Sequence, residues 1–427
     1  MKVLVLGPGG REHAIIRALL KDPAVTEVHS APGNAGIAQD VPVHAIDANN
    51  PEEALALATE LAADLVVIGP EAPLVAGVSD TLRDAGFPVF GPSKPAALLE
   101  GSKAFAKEVM ASANVPTAMA KVATNREEAE AALATFGAPY VVKDDGLAAG
   151  KGVVVTEDFD AALAHAESCF AAGGSVVIEE YLDGPEVSLF VISDGSTCLP
   201  LSPAQDFKRI FDNDEGPNTG GMGAYTPLSW LPEGFVEDVI EHVAQPTVDE
   251  MARRGTPFVG VLYCGLAATS RGIRVIEFNA RFGDPETQAV LARLRTPLGG
   301  VLLAAAKGEL PADLALDWDP RTAVDVVMAA ENYPDTPRKG DAITGLDAAN
   351  QRENVHVDHA GTAALDGEEI VTAGGRVLAV VALGENLTEA REAAYAGVRD
   401  IAWKGAQYRS DIALAAAENR IQIPTQN

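Results

Sequence analysis

The stretch Val141-Val142-Lys143-Asp144-Asp145-Gly146-Leu147-Ala148-Ala149-Gly150-Lys151-Gly152-Val153-Val154-Val155 decides how this chain is read. An apolar strand delivers a lysine, a short loop with three glycines and a second lysine follows, and a β-branched strand resumes. So little side-chain bulk leaves backbone N–H groups open to phosphate oxygens. The two lysines bring point charges for a polyphosphate. The loop is not the Gly-x-x-x-x-Gly-Lys-Ser/Thr type, because no hydroxyl residue follows Lys151 and a strand follows instead of a helix. Taken alone, an ordinary turn is the better reading of such a hairpin; its surroundings change that balance.

Upstream, residues 1–100 alternate strand and helix patterns: strands at 3–6, 25–30, 65–68 and 87–90, helices at 11–21, 51–63 and 78–85. Such alternation predicts a doubly wound parallel sheet whose ligands sit beyond the carboxyl ends of its strands. Those ends are Gly7-Pro8-Gly9-Gly10-Arg11-Glu12-His13, Ala31-Pro32-Gly33-Asn34-Ala35-Gly36 and Gly69-Pro70-Glu71-Ala72-Pro73-Leu74. The first lacks the third glycine of a dinucleotide fingerprint. A single phosphate at the helix N-terminus beside Arg11 and a tight turn without ligand both remain open.

A boundary falls at Leu99-Glu100-Gly101-Ser102-Lys103, where Ser102 can cap a helix reaching residue 113. Residues 117–191 then read strand, helix, hairpin, helix, strand, with helices at 127–136 and 158–171. The irregular segment 202–231 is long for a compact domain, and such segments are often functional. A helix over 233–254 and an antiparallel pair, 258–267 with 274–279, complete this block. Beyond residue 320, strands at 323–329, 356–360 and 377–383 and a helix over 388–401 form a further unit. The boundaries drawn are 1–101, 102–319 with a subdomain over 117–191, and 320–427.

The 427 residues carry a net charge of −29, which argues against nucleic acid or an anionic membrane as the main partner. An anionic substrate therefore needs locally gathered Lys and Arg. Cys169, Cys198 and Cys264 are scattered, which fits a reducing compartment and offers neither a disulfide framework nor a zinc site. No apolar run approaches the ~20 residues of a membrane span. The first residues enter a strand with no signal-peptide pattern, so a cytoplasmic location is expected.

Ile276-Glu277-Phe278-Asn279-Ala280-Arg281 is the second informative motif. Strand alternation puts Ile276 and Phe278 toward a core and Glu277 and Asn279 together into a site. Two hard oxygen ligands side by side suit Mg²⁺, which completes its shell with water and phosphate. By itself this is an edge strand with two solvated polar residues; beside a two-lysine loop, the metal reading gains. Val176-Val177-Ile178-Glu179-Glu180-Tyr181-Leu182, continuing to Glu186, is a strand terminus able to read an adenine edge and a ribose.

In order, Ser102-Lys103, Lys143 with Ala148-Ala149-Gly150-Lys151-Gly152, Glu179-Glu180-Tyr181-Leu182 with Glu186, and Glu277-Phe278-Asn279 resemble the ATP-grasp ligases. More narrowly the chain is similar to the phosphoribosylamine–glycine ligase (glycinamide ribonucleotide synthetase) family of purine biosynthesis. The likeness includes Gly9-Gly10-Arg11-Glu12-His13-Ala14, Asp145-Gly146-Leu147, Gly216-Pro217-Asn218-Thr219-Gly220-Gly221-Met222-Gly223 and Arg281-Phe282-Gly283-Asp284-Pro285-Glu286-Thr287-Gln288. It extends to His359-Ala360-Gly361-Thr362 and Gly374-Gly375-Arg376, and so spans essentially the whole chain. Departures are Asp144 for a usual alanine, Phe207 for a usual histidine, Ala280 for a usual cysteine and Pro8 for a usual asparagine.

The resemblance implies an α/β (partly α+β) chain. Its parts are an N-terminal doubly wound parallel sheet, a central ATP-grasp fold with a mobile lid, and a small C-terminal α+β domain. It implies ATP as cosubstrate, Mg²⁺ or Mn²⁺, glycine and 5-phosphoribosylamine as substrates, and a monomer. Lys103 and Lys143 would contact phosphates under a lid of Gly146, Ala149, Gly150, Lys151 and Gly152. Glu179, Glu180 and Leu182 would bracket adenine, Glu186 the ribose, and Glu277 and Asn279 the metal. Arg281 would stabilise the developing acyl phosphate, its bland role being an ion pair with Asp284. Gly9, Gly10, Arg11, Asn34, Glu71, Asp206, Lys208, Asn218, Gly220, Gly221 and Asp284 would line the substrates. Competing expectations are a ligase of the same fold for another acid or amine, a nicotinamide-dependent dehydrogenase on the Gly7–Gly10 turn, and a non-catalytic nucleotide sensor.

Overall fold

The computed structural model describes residues 1–146, 152–367 and 369–425. Strand Lys2–Gly7 lies between Glu27–Pro32 and Leu65–Ile68, with Val89–Phe90 outside the latter, all parallel. Leu65–Ile68 is apolar throughout and buried throughout, as a parallel strand covered by helices on both faces must be. The helix Pro51–Leu61 starts where Asn50 accepts hydrogen bonds from the Glu52 and Glu53 N–H groups and Pro51 gives up no needed donor. The second strand sits two residues later than its apolar pattern suggests, because Val25 closes the turn after the first helix by bonding Asp22.

The small antiparallel sheet places Ala120–Ala123 beside Val176–Glu179, then Tyr140–Asp144 and Val153–Thr156. Helices Arg126–Phe136 and Phe159–Ala171 cover it through Leu133, Ala162, Leu163 and Ala166. Strand Glu186–Asp194 belongs to a different sheet, the central one, where it pairs with Val259–Thr269, itself paired with Gly272–Asn279. The helix expected over 233–254 runs from Phe235 to Arg253 but loosens into a π-turn at Ile240–Ala244. Pro246 lacks an N–H and crowds the preceding carbonyls, which accounts for that turn.

The C-terminal sheet is Thr322–Ala329, Arg376–Gly384 and Val355–His359, antiparallel, with helix Leu387–Asp400 against it. Two strands from far earlier in the chain, Gln205–Asp206 and Gly223–Thr226, extend this sheet. It therefore draws on both sides of the boundary expected at residues 319/320. The irregular segment 202–231 thereby hangs between the central and C-terminal sheets.

Candidate active site

Lys143 leaves the end of Tyr140–Asp144 buried, its ammonium 2.7 Å from a Glu179 oxygen and 2.9 Å from the Ile276 carbonyl. The second Glu179 oxygen takes Lys107 at 2.9 Å. Glu179 thus fixes two lysines rather than presenting a free carboxylate. Lys107 stands one turn after Lys103 on the helix Lys103–Ser112, a spacing that puts both on one helix face. Asp145 fastens the start of that helix to the loop base: it accepts from Ser102 Oγ and Ala104 N, both at 3.1 Å, and from Ser175 Oγ at 3.2 Å. Lys103 Nζ donates to the Gly146 carbonyl at 2.9 Å. Gly152 lies in the described part of the loop; Ala149, Gly150 and Lys151 lie outside the described residues.

Beyond Glu179, the Glu180 carboxylate accepts from Met119 N at 3.0 Å and pairs with Arg271 at 3.1 Å. Tyr181 and Leu182 make no hydrogen bond to a described residue. Their backbone N–H and C=O groups thus remain free to pair with a base edge. Glu186 is ion-paired with Lys208.

Glu277 and Asn279 face the same region, but Val275, not Ile276, joins Phe278 in the core. The register between Val259–Thr269 and Gly272–Asn279 slips at Gly265/Leu266, where Gly265 opposes Glu277 and Leu266 opposes Val275. Ile276 is the extra residue of a bulge, a device that re-aims side chains next to sites. Among the described residues nothing hydrogen-bonds or ion-pairs with the Glu277 carboxylate. Burial opposes its charge, but Lys208, Lys143, Lys103 and Arg281 outweigh burial and hold the carboxyl below its usual value. An ionised carboxylate next to the amide oxygen of Asn279 is the hard-oxygen set a divalent cation takes.

Arg281 does not pair with Asp284. Its guanidinium contacts Glu100 at 2.8 Å and Glu71 at 3.3 Å, and it reaches Asn279 at 3.5 Å. Burial would lower its pKa, yet those two glutamates raise it. Asp284 instead accepts from Arg11 N at 3.2 Å and from Gln288 at 2.9 Å, and it pairs with Arg376 at 3.3 Å. Arg376 also donates to the Gly220 carbonyl at 2.8 Å, while Tyr333 OH accepts from Gly220 N at 2.9 Å. Gly221 sits beside Pro285, and Asn218 ends the strand Glu215–Asn218 in the same loop. Asp206 is half-buried; burial raises its pKa first, Glu286, Glu186 and Glu277 add to this, and Lys208 opposes.

The first loop has a physical reading its sequence hides. Glu12 is fully buried, and a Cβ on Gly7, Gly9 or Gly69 would overlap its side chain. Its carboxylate accepts from Gly9 N at 2.6 Å and holds Arg11. The glycines make room for a carboxylate, not for a dinucleotide pyrophosphate. A Cβ on Gly10 would meet Gln288 at 2.8 Å. Asn34 has both amide functions in use, donating to Pro8 O at 2.8 Å and His359 O at 2.7 Å and accepting from Gly36 N and Ile37 N. Asn34 thus joins the first and last domains.

Lys107, Glu100, Glu286, Arg376 and Tyr333 were absent from the residues expected here. Lys107 had a local signal in its spacing from Lys103, and Glu100, Glu286 and Arg376 stand in motifs quoted above without a role; Tyr333 had no signal. Glu286 is buried and takes hydrogen bonds from Tyr263 at 2.9 Å and Ser188 at 3.1 Å. A separate hollow of about 500 Å³, lined by Met1, Asp64, Phe87 and Lys307 among others, opens elsewhere and contains none of the residues of this cleft.

Residues 1–100, 101–287 and 323–415 match models described as the N, ATP-grasp (A) and C domains of phosphoribosylglycinamide synthetase. The chain is 64% identical over 420 residues to a phosphoribosylamine–glycine ligase of Streptomyces coelicolor, covering 98% of this chain and 100% of that protein. A protein of the same name from Leifsonia xyli is 58% identical, with 97% and 100% covered. The crystal structure of phosphoribosylamine–glycine ligase from Thermotoga maritima aligns with TM-score 0.83 and 34% identity over 96% of this chain and 100% of that one. A biotin carboxylase from Campylobacter jejuni shares the fold at 16% identity and TM-score 0.70, with 98% and 95% covered.

Proposed function

Because the chain belongs to the phosphoribosylglycinamide synthetase family, and so is an ATP-dependent ligase joining glycine to phosphoribosylamine, we propose how its own residues carry that reaction. The dehydrogenase and sensor readings fall with that membership. Glycine's carboxylate oxygen attacks the γ-phosphorus of ATP and ADP departs, leaving glycyl phosphate. The amine of 5-phosphoribosylamine then attacks the acyl carbon. The C–O bond to phosphate breaks, phosphate takes that electron pair, and the amine loses a proton. No protein nucleophile is needed; positioning and charge neutralisation supply the catalysis.

Lys103 and Lys143 neutralise the phosphates, and Glu179, itself fixed by Lys107, holds Lys143 in place. The free backbone groups of Tyr181 and Leu182 read adenine, and Glu186 takes the ribose. Glu277 and Asn279 hold Mg²⁺ or Mn²⁺, which when bound offsets phosphate charge. The observation that carries this reading is the Glu277 carboxylate, which has no hydrogen-bond or ion-pair partner among the described residues and is favoured in its charged form by Lys208, Lys143, Lys103 and Arg281. Arg281, braced by Glu71 and Glu100, stabilises charge at the acyl phosphate. Lys208, Asp206 and the Asn218–Gly221 loop line the glycine side, and Gly9, Gly10, Arg11 and Asp284 the ribosylamine side. The chain works as a cytoplasmic monomer, and its net charge of −29 speaks against nucleic-acid or anionic-membrane partners.

Phosphate release measured with each substrate omitted in turn tests the scheme. Release is expected only when ATP, glycine and the ribosylamine are all present, because the phosphate stays in glycyl phosphate until the amine attacks. Glu277→Ala is expected to lower metal-dependent turnover by about 100-fold or more with the fold intact. Wild-type rates in that variant would remove Glu277 from the metal site.

A further inference from the structure

Residue 409 lies about as far along the chain from the 205–218 segment as the chain allows, yet its side chain is only 1% exposed and closes on the back of that segment. The Arg409 guanidinium stands 5.0 Å from the Phe207 ring centroid. Its Nη1 is 2.8 Å from Asp214 and 3.2 Å from the Arg209 carbonyl. Its Nε and Nη2 lie 2.7 Å from the two oxygens of Asp411, a bidentate pair that fixes the plane of the fork. Asp411 in turn accepts from Asn213 N at 2.9 Å, and Ser410 N donates to Asp212 at 2.8 Å. Five residues of one segment and three of another are thus stitched along one seam.

Phe207 also exchanges backbone hydrogen bonds with Gly223 and Met222, so the residue is held on both its backbone and its ring. Extended backbone sends Asp206 and Lys208 to the side opposite Phe207. On that side Lys208 meets Glu186, and both Asp206 and Lys208 feel Glu277. A long, irregular segment cannot aim a lysine by itself, since each unpinned backbone residue keeps its conformational freedom. The seam removes that freedom from behind.

We propose that Arg409 is a positioning residue of the ligase: it clamps Phe207 and the 209–214 turn from the C-terminal side, so that Lys208 and Asp206 face the glycine end of the cleft. The proposal rests on the reading that Lys208 and Asp206 line that end. Arg409 touches no substrate, and the Phe207 ring acts as the surface against which it presses.

Arg409→Lys keeps the charge but loses the fork and the planar stacking; Phe207→Leu keeps apolar bulk but loses the ring face. Both single variants, the double variant and Lys208→Ala should be compared in steady-state assays with glycine varied, together with nucleotide binding and thermal unfolding. Arg409→Lys is expected to lower kcat/KM for glycine about tenfold with nucleotide affinity close to wild type, and to lower the unfolding midpoint because a buried bidentate pair is lost. The double variant should be no worse than the more impaired single, because both changes act through one contact. Lys208→Ala should also lose glycine efficiency. Unchanged glycine kinetics in Arg409→Lys alongside an impaired Lys208→Ala would overturn the clamp and leave the site reading intact. Wild-type glycine kinetics in Lys208→Ala would instead overturn the site reading. If Arg409→Lys fails to fold, Phe207→Leu decides: unaltered glycine kinetics there reject the clamp.

Discussion

Glu179 illustrates how one residue can be legible in type and hidden in role. A glutamate closing an apolar strand ahead of Tyr181-Leu182 reads naturally as a neighbour of a base. In the folded chain its two oxygens are taken by Lys143 and Lys107, and all three side chains are largely withdrawn from water. Burial lowers the Lys107 pKa, Glu179 raises it back and Lys143 lowers it further. Removing the carboxylate charge therefore leaves two buried ammonium groups facing each other. Glu179→Gln is expected to cost about 3 kcal/mol or more of stability and to raise KM for ATP. Adding Lys107→Met should recover part of the stability, since the surplus cation is gone. Denaturant midpoints of the single and double variants check this; a double variant as unstable as the sum of two independent losses would contradict the bridge. Lys143 and Lys103 could be picked from the sequence because glycines surround one and a cap precedes the other. The contacts of Arg376 with Gly220 and of Arg409 with Asp214 could not, since those partners lie more than 150 residues away.

At the level of elements, apolar periodicity located most strands and helices, and the misses have distinct causes. The bulge at Ile276 depends on the register of a partner strand, which no single-strand pattern contains. The helix Glu286–Ala292 spans only seven residues, and Leu298–Lys307 begins Leu-Gly-Gly, a poor helix former that is needed because Gly299 packs on Met1 and Val25. Strand Thr322–Ala329 was located, but its pattern conceals a liability. Asp325 is fully buried on it, and neither carboxylate oxygen has a hydrogen-bond partner among the described residues. Burial, aided by Asp358, Asp284 and Glu286 against Arg376, pushes its pKa well above the usual value. The folded chain then keeps a proton that the unfolded chain releases above about pH 4, so this group's contribution to stability falls as pH rises. Asp325→Asn has nothing to titrate. Its unfolding midpoint should therefore drop less between pH 5 and pH 8 than that of the wild type, whose excess loss is about 1.4 kcal/mol per pH unit at most. Parallel profiles for the two proteins would show that Asp325 is already ionised.

Over the whole molecule, the cleft exists because the first and last domains are joined across it, and that joint has its own pH dependence. Asn34 binds the carbonyls of Pro8 and His359, and His13 accepts from His359 N at 2.8 Å while its other nitrogen faces Asp40 at 2.9 Å. A Cβ on Gly36 would overlap the His359 ring, so the first domain is shaped to that imidazole. Thr362 is bonded to the ring at 3.0 Å. Burial comes first in lowering the His359 pKa to about 4; His13 and Arg17 add to it, and Asp358 and Asp40 oppose. The ring is thus neutral in the folded chain through the pH range where an unfolded histidine gains a proton. As pH falls below about 6.5 the unfolded state binds that proton and the folded state does not, so stability is lost at about 1.4 kcal/mol per unit until pH 4. This runs opposite to Asp325, whose contribution grows over the same descent. The two groups pull the optimum from opposite sides. His359→Asn retains a polar side chain near Thr362 without a titrating ring. It should lose less stability than the wild type between pH 7 and pH 5, with urea midpoints at the two pH values as the measurement. An equal loss in both would place the acid sensitivity elsewhere. A loss confined to the wild type would tie the integrity of the three-domain cleft to one neutral imidazole.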